Sequence, residues 1–293
     1  MVPVGPTGVH SGRRSSSLWP RMLTAVSAPS GSAPSGLVLP RRSGGCIRLA
    51  ALAIFAASVA TATVQATSLA VIRTPNQVII AGDSLLVWYG GDRRPQLTCK
   101  LDARDDVIFG MAGLVVSHEN DFDVRQLLHA VLKTPGTLEE RTMVLERLVQ
   151  GRLLGTLTRI QMELPRLFAE QLSSGFVLNV TLAAVRDGVA YLEMRDFYAE
   201  VEPSGAIELR ISRVSCPREC PRQTEVFGVG ETTAMMAHLS QLPALPDALP
   251  ELAQQMVQLE ITDRPALVGP PVDMVRAHGS GIEWIHRKPA CAS

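Results

Sequence analysis

The sequence predicts an α+β sandwich, in which stacked β-sheets are covered by α-helices. Three observations support this fold class. Strand-like and helix-like segments are segregated along the chain, in the order strands, two helices, strands, two helices, strands. The helical segments carry capping signals at their starts. Hydrophobic residues make up 46% of the 293 residues and charged residues 19%, which is enough apolar material for a sizeable core.

The first strands form a predicted hairpin. Residues 67 to 72 show the alternation that is typical of a β-strand, and Thr74-Pro75-Asn76 is a turn signal. "QVIIAGDS" (77–84) predicts a second short strand. "QLTCKL" (96–101) is a further strand candidate. "VIFGMAGL" (107–114) predicts a buried strand that ends in small residues.

Helical signals follow. Asp121 or Asp123 can cap the segment "FDVRQLLHAVLK". Thr137-Leu-Glu-Glu140 is a capping box, with threonine at the N-cap and glutamate at N3. It opens an amphipathic run from Leu138 to about Leu172, in which Pro165 predicts a kink.

Strand signals return in the second half of the chain. Two apolar runs flank Asp187-Gly188, which is a strong hairpin turn. "TEVFGVGETTAMMAHLSQL" (224–242) predicts a strand, a glycine turn and a helix, and "PDALPELAQQMVQLEI" (246–261) predicts one more helix. The last two strands pair across Gly279-Ser280-Gly281.

The first 66 residues are predicted to be a disordered leader followed by a signal peptide. Basic residues precede the apolar run Leu49 to Val64, which is too short and too rich in Ala and Thr for a comfortable membrane span. Val64-Gln65-Ala66 then places small residues where a signal peptidase cuts. The expected boundaries are a leader over 1–66 and a single domain over 67–293. Met22 as the true start and an uncleaved signal anchor remain open alternatives.

Charge and composition exclude several classes of function. Lys plus Arg and Asp plus Glu both total 28, so no global field attracts nucleic acid or an anionic membrane surface. Aromatic residues make up only 4%, which argues against a surface that stacks bases. We therefore expect no nucleic-acid partner and, after processing, no stable membrane span. Export to the periplasm or the extracellular space is the expected localisation.

Cysteines and histidines indicate neither a metal nor a cofactor. Cys216 and Cys220 can close a small disulfide loop in an exported protein, whereas Cys99 and Cys291 have no assigned partner. Because Cys99 follows strand alternation, we expect it to be a core residue and not a reactive thiol. The histidines are scattered without metal-ligand spacing.

Thr67 gains a chemical role if cleavage after Ala66 makes it the first residue. A threonine hydroxyl is a weak nucleophile and needs an adjacent base. The α-amino group of Thr67 can be that base, because an α-amine has a pKa of roughly 7.7–8.0. Thr67 is therefore the candidate nucleophile.

The segment "TSLAVIRTPNQVIIAGDS" (67–84) resembles the opening of proteasome β subunits and their bacterial relatives, which are N-terminal-nucleophile hydrolases of the threonine peptidase family. The resemblance implies a four-layer α/β/β/α sandwich. It also implies that Thr67 is the nucleophile, that Lys100 lowers the pKa of the nucleophile, and that Asp83 holds Lys100 charged and in place.

The same resemblance assigns further site residues. Met111-Ala112-Gly113 matches the turn whose backbone N–H, at Gly113, forms the oxyanion hole, and Met111 is expected to wall the specificity pocket. Asp263 matches a later catalytic aspartate. The family has a serine at the position of Val229, and this chain does not, so that role passes to Thr232 or to a water molecule.

The sequence thus predicts an exported threonine-type hydrolase that cleaves peptide or amide bonds. Two alternatives stay open: a non-catalytic structural subunit or binding module with the same fold, and a hydrolase of small amides. A peptide or amide substrate is the expected partner, and a homo-oligomer is a further open alternative.

Overall fold

The computed structural model describes residues 67–86, 96–117, 122–172 and 174–291. They all belong to one compact unit, Ser58–Ser293. The predicted leader, residues 1–66, lies outside the described residues, so its cleavage stays a prediction. None of the described helices combines the length and the apolar character needed to cross a membrane.

The described residues form fourteen strands and five α-helices. The strands are β1 (Ser68–Thr74), β2 (Gln77–Gly82), β3 (Leu85–Leu86), β4 (Gln96–Leu97), β5 (Leu101–Arg104), β6 (Val107–Gly113), β7 (Val116–Ser117), β8 (Phe122–Asp123), β9 (Ser174–Arg186), β10 (Val189–Val201), β11 (Ile207–Cys216), β12 (Glu225–Gly230), β13 (Asp273–His278) and β14 (Gly281–His286). The helices are α1 (Val124–Leu132), α2 (Leu138–Glu163), α3 (Pro165–Gln171), α4 (Thr233–Gln241) and α5 (Leu249–Asp263).

Two five-stranded antiparallel sheets contain most of the strands. The first has the order β12-β1-β2-β13-β14, and the second has the order β11-β10-β9-β6-β5. One buried apolar cluster includes residues of both sheets, such as Val71, Ile80 and Ile108. Two further clusters join the sheets to helices: one contains residues of α1, α2 and α3, and the other contains residues of α4 and α5.

The predicted N-terminal hairpin is confirmed. β1 and β2 pair antiparallel, with Thr74 opposite Gln77 and Leu69 opposite Gly82, around the turn at Pro75-Asn76. The residues of β1 from Ser68 to Arg73 are all buried, because this strand lies between β12 and β2 inside the first sheet. The register of this hairpin therefore fixes which residues meet at its open end.

The helix predictions are confirmed with one difference. Asp123 caps α1 by accepting a hydrogen bond from the backbone of Gln126, and Thr137 and Glu140 form the predicted capping box of α2. The run predicted from Leu138 to Leu172 is broken at Leu164 into α2 and α3. Pro165 takes the first position of α3, where its missing N–H costs little.

The structure corrects the predicted four-layer α/β/β/α sandwich. It shows an α+β fold that consists mostly of antiparallel sheet, with few helices. α2 contacts β9 to β11, and α5 contacts β1 and β2. α1 packs mainly on α2, and α4 packs mainly on α5. The order of segments along the sequence was correct, but it does not reveal how much of each sheet face the helices cover.

Core packing under α2 can be tested with two neighbouring leucines. Leu145 is 1% exposed and Leu148 is 42% exposed. We expect Leu145→Ala to lower the free energy of unfolding by about 2–5 kcal/mol, because it leaves a cavity in the core. Leu148→Ala, the control on the same helix, should change it by no more than about 0.5 kcal/mol. Denaturant titration measures both, and equal losses would contradict this packing.

Candidate active site

Thr67 lies directly before β1 and close to the end of β12. Its side chain is 4% exposed, and its carbonyl oxygen accepts a hydrogen bond from the backbone of Glu231, at 2.8 Å. Gly230 approaches so closely that an added Cβ would collide with this carbonyl oxygen, and its φ is +78°. The same added Cβ would lie 3.7 Å from the Cβ of Ala112. The end of β12 therefore holds Thr67 beside the Met111-Ala112-Gly113 turn.

Asp83 lies in the loop after β2 and is fully buried. Its Oδ1 accepts hydrogen bonds from Lys100 Nζ at 2.7 Å and from the backbone N of Ser68 at 2.9 Å. Its Oδ2 accepts from the backbone N of Leu85 at 3.0 Å and of Gly269 at 3.1 Å. Four donors use the full accepting capacity of a carboxylate, which compensates for its burial.

The hairpin register explains why Asp83 meets the start of β1. Leu69 pairs with Gly82, so the next pair outwards is Ser68 and Asp83. The backbone N of Asp83 donates to the carbonyl of Ser68 at 3.2 Å, while the N of Ser68 donates to the Asp83 side chain. The spacing between Thr67 and Asp83 in the sequence thus follows from the length of the hairpin.

Lys100 directly precedes β5 and is 4% exposed. Its Nζ and the backbone N of Ser68 share one oxygen of Asp83, which brings the ammonium group within two hydrogen bonds of the Thr67–Ser68 peptide. Burial lowers the pKa of Lys100 below its usual value; Asp83 opposes this shift, and the positive charge of Lys288 adds to it. Lys100 therefore holds its proton less tightly than an exposed lysine does.

The turn at the end of β6 adjoins Lys100. The backbone N of Met111 donates to the carbonyl of Lys100 at 3.1 Å, which continues the pairing of β5 with β6. Gly113 has a φ of +90°, and a Cβ at this position would collide with the carbonyl oxygen of Val177. Only glycine fits this backbone conformation without strain.

Met111 packs beside the helices, and its role as the wall of a specificity pocket stays a prediction. The side chain is 3% exposed and packs in the apolar cluster that contains residues of α1 and α2. Ala112, its neighbour on the same strand, lies in the cluster shared by the two sheets. Successive residues of a strand face opposite sides, so these two side chains cannot both face Thr67.

Asp263 is not part of the cluster either. It is the last residue of α5, is exposed, and pairs with Arg264 at 3.2 Å. The segment that follows α5 reaches the site through Gly269, whose backbone N binds Asp83. The expected position of Asp263 is thus corrected, because the turn after α5 presents a main-chain donor to the site and not the acidic side chain.

Val229, where the resemblance implies a serine, is buried opposite Leu69 in the pairing of β12 with β1. Its side chain belongs to the apolar cluster between the sheets. Thr232 is the N-cap residue of α4 and makes no capping hydrogen bond with its side chain. The position of the missing hydroxyl is thus filled by an apolar side chain.

A second buried ion pair, between Lys288 and Asp273, lies close to the pair of Lys100 and Asp83. This second pair was not predicted from the sequence. Lys288 Nζ donates to Asp273 Oδ2 and to Ser84 Oγ, both at 2.6 Å. Ser84 in turn donates to the carbonyl of Pro271 at 2.5 Å. Ser84 directly follows Asp83, so this pair and the pair of Lys100 with Asp83 meet at one short loop.

Disulfides join Cys99 to Cys291 and Cys216 to Cys220. The second was an expected possibility; the first corrects the view of Cys99 as a core thiol. Cys99 precedes Lys100, and Cys291 lies three residues after Lys288, so this bond brings the two lysines together. A pairing of the two unassigned cysteines is the sequence signal that could have revealed Lys288.

The site as a whole is a buried cluster of two lysines and two aspartates beside a threonine. The described residues contain no group of three or more His, Cys, Asp or Glu side chains that could hold a metal ion. The cluster itself presents hydroxyl, ammonium and carboxylate groups.

No family model matches the chain, and no curated protein matches it. Solved structures that are similar include Anbu with a Gly-1 mutation from Hyphomicrobium sp. strain MC1, at 17% identity, covering 78% of this chain and 88% of that one, with a TM-score of 0.47. Anbu, the ancestral beta-subunit, from Yersinia bercovieri is 15% identical, with coverage of 76% and 88% and a TM-score of 0.49. The helical assembly of the Anbu complex from Pseudomonas aeruginosa is 15% identical, with coverage of 77% and 88% and a TM-score of 0.49.

These comparisons correct the expected membership of the proteasome β-subunit threonine peptidase family. No family model supports it, and the similar structures named above are Anbu proteins. All of their identities are below 20% and their TM-scores below 0.5, so we transfer no function from them to this chain.

The close approach of Gly230 to Thr67 can be tested against a second glycine. Gly188 has a similar φ, +75°, but an added Cβ there meets no atom within 4 Å. We expect Gly188→Ala to cost only the backbone strain of about 1–2 kcal/mol. Gly230→Ala should cost more, because it also displaces the carbonyl of Thr67.

Denaturant titration measures the two stabilities, and hydrogen exchange at the amide of Glu231 reports the local contact. Exchange should accelerate in Gly230→Ala and stay unchanged in Gly188→Ala. Equal stability losses with the Glu231 amide still protected in both variants would contradict the described approach.

Proposed function

We propose that the chain, once cut between Ala66 and Thr67, is a hydrolase that cleaves peptide or amide bonds through an acyl-enzyme on Thr67. One observation carries this proposal. The buried carboxylate of Asp83 binds both the ammonium group of Lys100 and the backbone N–H of Ser68, the residue bonded to Thr67. A buried ion pair adds little net stability, so a lysine buried here is more typical of a functional site.

Cleavage frees the α-amino group of Thr67, which accepts the proton of the Thr67 hydroxyl as the oxygen attacks the substrate carbonyl carbon. The negative charge that develops on the carbonyl oxygen is stabilised by the backbone N–H of Gly113. The α-ammonium group returns its proton to the leaving amine as the C–N bond breaks. The same amine then takes a proton from a water molecule, which attacks the ester carbon. The amine returns this proton to Thr67 Oγ as the C–O bond breaks and the acid leaves.

Lys100 supplies positive charge next to these steps. Its ammonium group favours the deprotonated forms of the nearby amine and hydroxyl, because a cation disfavours a second positive charge and attracts a negative one. Asp83 fixes the position of that charge. The lowered pKa of Lys100 also lets it exchange a proton more readily than an exposed lysine.

Export is part of the proposal, because the signal peptide would expose Thr67. The pairing of Cys99 with Cys291 and of Cys216 with Cys220 supports an oxidising compartment, where disulfides persist. Self-association into a homo-oligomer stays a prediction.

A non-catalytic binding module is the second candidate function. It is favoured by Val229, which is buried and apolar at the position where the resemblance implies a hydroxyl that assists proton transfer. Activity measurements on the processed protein separate the two candidates, and a panel of peptides and small amides separates a peptidase from a small-amide hydrolase.

The first test is the start of the mature protein. N-terminal sequencing of exported protein should give Thr-Ser-Leu-Ala, because Ala66 satisfies the small-residue requirement of a signal peptidase. Ala66→Lys should block the cut, whereas Gln65→Lys, at the tolerant middle position, should leave it in place. A mature start several residues away from Thr67 would remove the general base and refute the mechanism.

The second test is an activity series on correctly processed protein. Thr67→Ala should abolish hydrolysis, and Thr67→Ser should retain part of it, because hydroxyl and amine both survive. Lys100→Ala should lower kcat about 10²–10³-fold, the usual cost of removing one preorganised electrostatic group. Lys133→Ala, at the exposed end of α1, is the matched control and should behave as the wild type.

Hydrolysis rates and labelling by an electrophile that reacts with hydroxyl and amine together provide the measurement. Undiminished hydrolysis by processed Thr67→Ala would exclude Thr67 as the nucleophile. A wild type that shows neither turnover nor labelling on the whole amide panel would favour the binding module.

A further inference from the structure

Lys288 is an unusual residue to find buried in this chain. The chain contains only three lysines, Lys100, Lys133 and Lys288, among 28 basic residues, and the others are arginines. Lys100 and Lys288 are 4% and 7% exposed. Positive charge is thus carried almost entirely by arginine, while two of the three lysines are buried and interact electrostatically.

Lys288 is held on several sides. Its Nζ binds Asp273 and Ser84, and its backbone N donates to the other oxygen of Asp273 at 2.8 Å. Its carbonyl accepts from the backbone of Cys291 at 2.9 Å, and Cys291 is bonded to Cys99. These contacts therefore hold the ammonium group of Lys288 in one position.

The two lysines meet through a short stretch of chain. Asp83 binds Lys100, and the next residue, Ser84, binds Lys288. The backbone N of Ser84 donates to the carbonyl of Gly269, whose own N binds Asp83. The charge of Lys288 lowers the pKa of Lys100, so the two ammonium groups interact.

Stability alone gives little reason for this arrangement. A buried ion pair contributes little net stability, since the cost of removing both charges from water offsets their attraction. A second buried cation beside Lys100 adds repulsion to that cost. Such costs are typical of groups that serve a reaction.

We propose that Lys288 is a positioning residue for the hydrolysis: a fixed second cation that raises the positive potential around Lys100 and Thr67. This inference rests on the proposed function. Among the described residues, the charged groups that face the two lysines are Asp83, Asp273 and each other. On β13 and β14, Arg276 and His278 both pair with Glu283, and Arg287, which directly follows β14, lies over the ring of Trp284.

The extra cation has a definite effect on proton transfer. Positive potential disfavours the protonated forms of Lys100 and of the Thr67 α-amine, so both lose their proton at lower pH. Loss of Lys288 should therefore raise the pKa of each group. The acid limb of kcat/KM, which reports the base of the free enzyme, should move to higher pH.

The test compares Lys288→Met, which keeps the apolar stem without the charge, with Lys288→Arg, which keeps the charge. Protein is expressed from the full chain and recovered after processing, and kcat/KM is measured against pH. In Lys288→Met the acid limb should shift up by about one pH unit. In Lys288→Arg it should stay near the wild-type value, and Lys133→Met serves as the matched control.

A second readout is independent of activity. With three lysines in the chain, NMR of protein carrying ¹³C-labelled lysine resolves the titration of each one. The pKa of Lys100 should rise in Lys288→Met and should not change in Lys133→Met. An active wild type, combined with unmoved pH profiles and an unmoved Lys100 titration in Lys288→Met, would overturn the proposal even if the variant were less stable.

Failure of the proposed function gives a different pattern. The wild type would then hydrolyse nothing at any pH, and the role of Lys288 in catalysis would fall with it, whatever the NMR titration showed. An active enzyme whose acid limb follows the charge at position 288 supports both the function and the positioning role.

Discussion

The carboxylate of Asp83 is the interaction on which the rest of the site depends. Its four hydrogen bonds come from the start of β1, from the loop that holds Asp83 itself, from the segment after α5 and from Lys100. An ionised carboxylate without exposure to water is stable only when all its acceptor positions are used. The sheets and the α5 segment must therefore be in place together before this charge can be buried, and the position of Thr67 follows from the same set of bonds.

Local parts of the fold could be predicted from the sequence, because short-range signals determine them. The β1–β2 hairpin follows from alternation and a turn at Pro75-Asn76, and the α2 cap follows from Thr137 and Glu140. The proximity of Asp83 to the start of β1 follows from the hairpin register alone. Asp273 and Lys288 were not predicted as site residues. Their positions depend on the pairing of β13 with β2 and on a disulfide between residues 192 positions apart. No local pattern encodes such long-range pairing.

The errors have physical causes of the same kind. Met111 was expected to wall a specificity pocket because Met111-Ala112-Gly113 resembles a family turn, whereas its side chain packs among residues of the helices. Asp263 was expected there because its segment resembles one that carries a later aspartate in the family, yet it is the last residue of α5 and its side chain is exposed. Four layers were expected because a short N-terminal motif resembles that of a family with this architecture. A motif of this size specifies one hairpin and a few side chains, whereas the extent of helix packing is set by residues outside it.

The bond between Cys99 and Cys291 gives the site an order of assembly. The ribosome releases Cys99 long before Cys291. For that interval Cys99 has no disulfide partner, and Lys100 lacks the charge of Lys288. A nascent or truncated chain can contain Thr67, Asp83 and Lys100 and still lack the second cation. The electrostatic environment of Lys100 and Thr67 is thus completed only after residues 288–291 have been synthesised. A hydrolase of the proposed kind would be held inactive until then.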